Sequence, residues 1–140
     1  MFENILVAND GSEGGLKALD AALELASRLH ANLHMVSVEE DLPHHALTID
    51  EVEEEKENED SYFEQLADQC KRRAALRGVN LTCSIIAGHE VKAIIDLARQ
   101  GSYKLLVVGF TGHSRIYDHI WGGTSQNLAR LSPGSVLVVK

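Results

Sequence analysis

The sequence predicts a doubly wound α/β fold, a five-stranded parallel sheet with helices on both faces. Three observations carry that expectation. Short apolar runs recur five times, separated by stretches whose apolar residues fall at helical spacing. The runs are apolar at successive positions, as strands covered on both faces require. Strand and helix alternate throughout, the pattern of β-α-β units and not of hairpins. The strand order expected is 3-2-1-4-5, with the first and fourth strands adjacent at the centre.

"NILVA" (residues 4–8) is the first strand, ended by the turn residues Asn9, Asp10 and Gly11. Leu16, Leu19, Leu23, Ala26 and Leu29 then mark an amphipathic helix from about Gly14 to His30. "LHMVSV" (33–38) is the second strand. Acidic residues and Pro43 interrupt the pattern until Phe63, Leu66, Ala67, Cys70 and Ala74 restore it, and Arg77-Gly78 is a helix stop. "LTCSIIA" (81–87) is the third strand, and Val91, Ile94, Ile95 and Ala98 mark the third helix. "KLLVVG" (104–109) is the fourth strand. A helical turn is expected between Ser114 and Trp121. A last helix, with Thr124 as N-cap, runs to about Leu131, and "SVLVV" (135–139) is the fifth strand.

A chain of 140 residues with 44% hydrophobic residues is expected to form one domain with one sizeable core. The formal net charge of -8 hides a strong asymmetry. Residues 39–60 hold eleven acidic side chains and one lysine, leaving ten acids against twelve bases elsewhere. The body is therefore not expected to repel an anionic ligand. No lysine/arginine stripe with interleaved aromatics is present, so nucleic acid is not an expected partner. No apolar run approaches the roughly 18 residues of a membrane span, and the opening residues do not read as a signal peptide. The two cysteines, Cys70 and Cys83, have no CxxC spacing, which fits reduced core thiols in a cytoplasmic protein.

Two glycine clusters stand out, "GFTGHS" from Gly109 and "GGTS" at 122–125. Glycine inside a framework costs roughly 0.5–1 kcal/mol relative to alanine, so such clusters indicate sharp turns or close approach to the backbone. In an open parallel sheet, ligands bind beyond the carboxyl ends of the strands where the winding reverses. The loops after strands one and four would open onto that crevice. "GGTS" would supply a helix start, with unpaired amides and the positive end of the dipole. Together they resemble a phosphate cradle.

The chain resembles the universal stress protein family over essentially its whole length. ATP-binding members of that family share a G-x2-G-x9-G-(S/T) pattern between the fourth strand and the last helix. Gly109, Gly112 and Gly122 match it at the right spacing, while Gly123 stands where a serine or threonine is usual, with hydroxyls following at Thr124 and Ser125. Asp10 matches the aspartate that the family associates with the nucleoside. The resemblance further implies an adenine pocket lined by the backbone at Ala8 and around Val38, phosphate contacts at Gly109, Gly112, Gly122, Gly123, Thr124 and Ser125, and further nucleotide-binding positions at Asn9, Val108, Thr111 and His113. It implies a Rossmann-like fold, ATP as ligand with or without Mg2+, a homodimer formed through the last strand, and a stress-response role beside a protein partner that the sequence does not identify. A hydrogen bond to a charged group is worth about 1.5–3 kcal/mol, so the hydroxyl missing at Gly123 would weaken phosphate binding roughly 10- to 100-fold.

Plainer readings stand beside these. Gly109 and Gly112 can form a tight turn without a ligand, and Asp10 can bond its own loop. His113 fits a solvent-facing loop residue as well as a phosphate contact. His44, His45 and the acidic run lack the order of a calcium loop and read as a solvated helix face or a loop. Tyr117 and Trp121 read as packing beneath the glycine loop. Neither a G-x-S-x-G elbow nor a P-loop lysine is present, so any ATP hydrolysis or self-phosphorylation is expected to be slow. The apolar last strand would form a sheet edge with few charges, a liability unless it is paired or covered.

Overall fold

The computed structural model describes residues 1–40, 48–110 and 123–140. Its elements are β1 (Asn4–Ala8), α1 (Glu13–Leu29), β2 (Asn32–Glu39), α2 (Ile49–Leu76), β3 (Leu81–Ala87), α3 (Glu90–Gln100), β4 (Leu105–Gly109), α4 (Gly123–Leu131) and β5 (Ser135–Val139). All pairings in the sheet are parallel and the order is β3-β2-β1-β4-β5, as expected from the sequence. Successive residues of β1 enter opposite cores, as the two-residue period of a strand dictates. Ile5 and Val7 join Leu19, Leu23, Met35, Leu66 and Val107 beneath α1 and α2. Leu6 joins Val36, Ile94, Leu106, Val108 and Leu128 beneath α3 and α4. Fully burying a side chain of the Leu or Ile type contributes about 1.5–3 kcal/mol, so these two layers hold the sheet in place.

α1 begins at Ser12, whose hydroxyl accepts from the Gly15 amide at 3.1 Å, and ends at His30 in the left-handed region at φ 54°. α2 departs from expectation at its start. It begins fourteen residues ahead of Phe63, yet all its buried residues (Phe63, Leu66, Ala67, Cys70 and Ala74) lie from Phe63 onward. The acidic half is helical without a buried face. Thr48 and Glu51 form a reciprocal capping box, with the Glu51 amide donating to Thr48 Oγ1 at 3.2 Å and the Thr48 amide donating to Glu51 Oε2 at 2.9 Å. Carboxylates in the first turn complement the helix dipole, and glutamate is a good helix former. The helix ends at Arg77, and Gly78 takes φ 69°.

Cys70 is buried and Cys83 half-buried, both as free thiols. The expected turn between Ser114 and Trp121 lies outside the described residues, as do His44, His45, Tyr117 and Trp121. Among the described residues no helix is long and apolar enough to cross a membrane.

At the amino-terminal end of the sheet, His34 bridges β2 to β3. Its Nδ1 lies 2.6 Å from Thr82 Oγ1 and its Nε2 2.7 Å from Ser84 Oγ, with the ring stacked at 6.0 Å on Tyr103. Burial holds this imidazole below its ordinary value of 6.5. The unfolded chain therefore takes up the proton first as pH falls. Stability from this site is complete above about pH 6.5 and declines below it. Urea unfolding at pH 7 and pH 5 is expected to show a smaller acid loss in His34→Gln than in the parent. Equal losses would mean that the ring is not the source.

Candidate functional site

β1 and β4 run side by side, with Ile5 opposite Leu105 and Val7 opposite Val107. The helix that follows β1 packs on one face of the sheet, and α4 packs on the other. Their carboxyl ends therefore open a crevice between diverging connections, the place where open α/β sheets take ligands.

The loop after β1 is tightly built. Asn9 is 2% exposed, and its amide donates to the Val36 carbonyl at 3.0 Å, adding one step to the sheet. Its Oδ1 accepts from the Gly11 amide at 2.9 Å, and its carbonyl accepts from Ser37 Oγ at 2.7 Å. Its Nδ2 points to Met35 Sδ at 3.5 Å and Cys70 Sγ at 3.6 Å. The Asn9 side chain thus anchors the loop from below. Asp10 is half-buried; its Oδ1 accepts from the Ser12 amide at 2.9 Å, and its carbonyl accepts from Tyr62 Oη at 2.9 Å. Tyr62, from the middle of α2, is a positioning residue that the sequence did not single out.

Gly109 has a structural cause that differs from the one expected. A Cβ at this position would strike the Gly14 carbonyl, so what approaches the Gly109 backbone is the first turn of α1. Gly15 repeats the theme: a Cβ there would stand 2.5 Å from Asn9 Oδ1 and 3.0 Å from Asp10 Oδ1. The signal for this was the "GG" doublet at the helix start, where glycine is costly. Gly123 is the opposite case, since a Cβ there meets nothing within 4 Å.

Around this crevice Ala8 and Val38 are half-buried against the α3/α4 core, and Val108 belongs to that core at 3% exposure. α4 begins at Gly123, so Thr124 is its second residue and not its N-cap, and Ser125, 3% exposed, is its third. The expected cap gives way because the helical turn already includes Gly123. The amides of Gly123 and Thr124 consequently lie in a first turn, which has no intrahelical acceptors. The structure therefore brings Ala8, Asn9, Asp10, Val38, Val108, Gly109, Gly123, Thr124 and Ser125 to one end of the sheet. Thr111, Gly112, His113 and Gly122 lie outside the described residues.

The charges at this end were not legible from the overall asymmetry. Glu90, in the first turn of α3, is pushed up to about 7, first by burial and then by the carboxylates of Asp10 and Glu40. Glu39 is 8% exposed, and burial and the adjacent Asp60 carboxyl raise it from its ordinary value. The Glu39 carbonyl accepts from the Gly88 amide at 2.9 Å, which draws the lead into α3 against the end of β2. Lys140 Nζ lies 5.4 Å from the centre of the Phe110 ring, and the Phe110 amide donates to Val139 at 2.9 Å, so this lysine shares the same end of the sheet. Among the described residues no cluster of three or more His, Cys, Asp or Glu could hold a metal ion. A cavity of about 300 Å³ lies between the carboxyl end of β3 and α3, lined by Gly88 and His89 among others, and includes none of the sequence-predicted site residues.

A sequence model described as the Universal stress protein family matches residues 1–140. The chain is similar to the universal stress protein YxiE of Bacillus subtilis, at 31% identity over 153 residues and covering all of both chains. The structure of the universal stress protein UspA from Lactobacillus plantarum aligns with a TM-score of 0.89 and 28% identity, covering 99% of this chain and 98% of that one. A universal stress protein in complex with cAMP aligns with a TM-score of 0.76 and 26% identity, covering 99% and 97%.

Proposed function

The chain belongs to the universal stress protein family, and on that premise we propose that it is an adenine-nucleotide-binding regulatory protein of the cytoplasmic stress response, built as a single domain. ATP, with or without Mg2+, lies across the carboxyl ends of β1 and β4. Asp10 holds the nucleoside, and the glycine loop from Gly109 through Gly112 to Gly122 holds the phosphates together with the first turn of α4. Bound nucleotide changes the surface that partner proteins meet. What supports the reading is that Asp10, Gly109 and the start of α4 all lie at the carboxyl end of the sheet, where β1 and β4 are adjacent. A similar protein with cAMP in complex supports the ligand class. The chain pairs with a second copy through β5, a sheet edge on which Leu137 is 37% exposed.

Calorimetric titration of the purified protein with ATP and AMP tests the reading. Saturable heat is expected with both, weakened relative to a cradle with the usual hydroxyl. Gly123→Ser is expected to tighten ATP binding roughly 10- to 100-fold, because it adds one charge-assisted hydrogen bond at a position with open space for the side chain. Unchanged affinity would show that the missing hydroxyl is not what limits phosphate binding. The glycine at 123 also favours a second reading, a dimeric interaction scaffold that has lost nucleotide. Negligible heat from either ligand at millimolar concentration would select it.

A further inference from the structure

We propose that Ser84 is an acyl-accepting nucleophile, with His34 as its general base and Thr82 as the residue that orients the base. The substrates are small activated carboxylic esters and thioesters. The site lies toward the other end of the sheet from the nucleotide crevice and does not depend on that reading.

Three side chains on two adjacent strands form the site. His34 of β2 stands opposite Thr82 of β3 in the register, and side chains alternate along a strand, so His34, Thr82 and Ser84 share one face of the sheet. His34 Nε2 lies 2.7 Å from Ser84 Oγ, and its Nδ1 lies 2.6 Å from Thr82 Oγ1. A hydroxyl within hydrogen-bond reach of a base, with that base held by a third group, is the arrangement that activates a nucleophile. An imidazole that donates from Nδ1 to Thr82 accepts at Nε2, which gives the Ser84 proton a place to go. Tyr103, stacked on the imidazole at 6.0 Å, steadies the plane of the ring. Burial favours the neutral imidazole, the form that takes up a proton.

Room for a donor lies alongside. Ile86 is two residues on from Ser84, on the same face of β3, and it lines the cavity of about 300 Å³ with Ala93 and Leu97 of α3. Those apolar walls suit a small aryl or acyl group. The three residues supply a nucleophile and its base, so the donor must bring its own good leaving group: an aryl ester or a thioester, not an amide. In the step, Ser84 Oγ bonds to the acyl carbon, and the bond from that carbon to the aryl oxygen or thiol sulfur breaks. The Ser84 proton passes through Nε2 to the departing group, and nothing is oxidised or reduced.

p-Nitrophenyl acetate is the probe, with phenolate release followed by absorbance and the acetylated residue located by peptide mass spectrometry. Ser84 is expected to acetylate ahead of the exposed Ser61 and Ser102. Its rate should exceed that in His34→Gln by about 100-fold, as removal of a general base predicts. Thr82→Val should slow the reaction and Thr82→Ser restore it. The ranking of Ser84 against Ser61 and Ser102 is read in the parent protein, so it stands even if a variant does not fold. Acetylation confined to lysines and the amino terminus, or an equal rate at Ser84 in parent and His34→Gln, overturns the proposal.

Discussion

Gly109→Ala is expected to lower the unfolding midpoint by about 10 °C, although it adds a single methyl group. The methyl would enter the space of the Gly14 carbonyl, and a backbone carbonyl in the first turn of a packed helix cannot rotate aside. Overpacking of this kind costs typically 1–3 kcal/mol, and for a chain of this size each kcal/mol moves the midpoint by roughly 3–5 °C. Relief would require α1 to shift away from β4, which would also disturb Asn9 and Asp10, whose side chains sit over Gly15. Gly123→Ala is the matched control. It meets open space in a helical first turn and should be neutral, or stabilising by up to about 0.5–1 kcal/mol. Thermal unfolding followed by circular dichroism measures both. Similar midpoints for the two variants would mean that the contact between α1 and β4 is not tight.

Asp10→Ala is expected to weaken adenine-nucleotide binding roughly 10- to 100-fold, the range for a hydrogen bond to a charged group. The residue has two separable roles. Its Oδ1 accepts from the Ser12 amide and so shapes the turn into α1; in the proposed complex its carboxylate holds the nucleoside. Asp10→Asn keeps an acceptor for Ser12 and removes the charge. That variant should retain the parent's stability while remaining weaker than the parent toward nucleotide. If Asp10→Asn and Asp10→Ala both bind ATP as the parent does, Asp10 serves its own turn only.

The sheet was legible because its signal is dense. Five apolar runs, of which β1, β2 and β4 are buried on two faces, can be arranged with the intervening helices in few ways once crossovers are right-handed. The first half of α2 was not legible, because periodicity reports a buried face, and residues before Phe63 bury none. Its helix is specified by the Thr48–Glu51 cap and by glutamate's own preference, signals that the apolar pattern does not carry. At the site, Asp10 and the glycines near the switch point could be found from residue type and spacing. The reason for Gly109 could not, since its neighbour Gly14 is ninety-five positions away along the chain and meets it only through the packing of α1 on β4. Glu90, Tyr62 and Lys140 carry no local motif; folding alone brings them to the same end of the sheet as Asp10. Charge counting also failed there, because a segment average does not say which carboxylates end up at the crevice.

The central claim is that one adenine nucleotide contacts the end of β1, the end of β4 and the start of α4 together. Backbone amide shifts of isotope-labelled protein during ATP titration test it most directly. The largest changes are predicted at Ala8, Asp10, Gly109, Gly123 and Thr124, with His34 and Tyr103 at the far end of the sheet unmoved. Changes confined to the groove between β3 and α3, or none at saturating ATP, would contradict the claim.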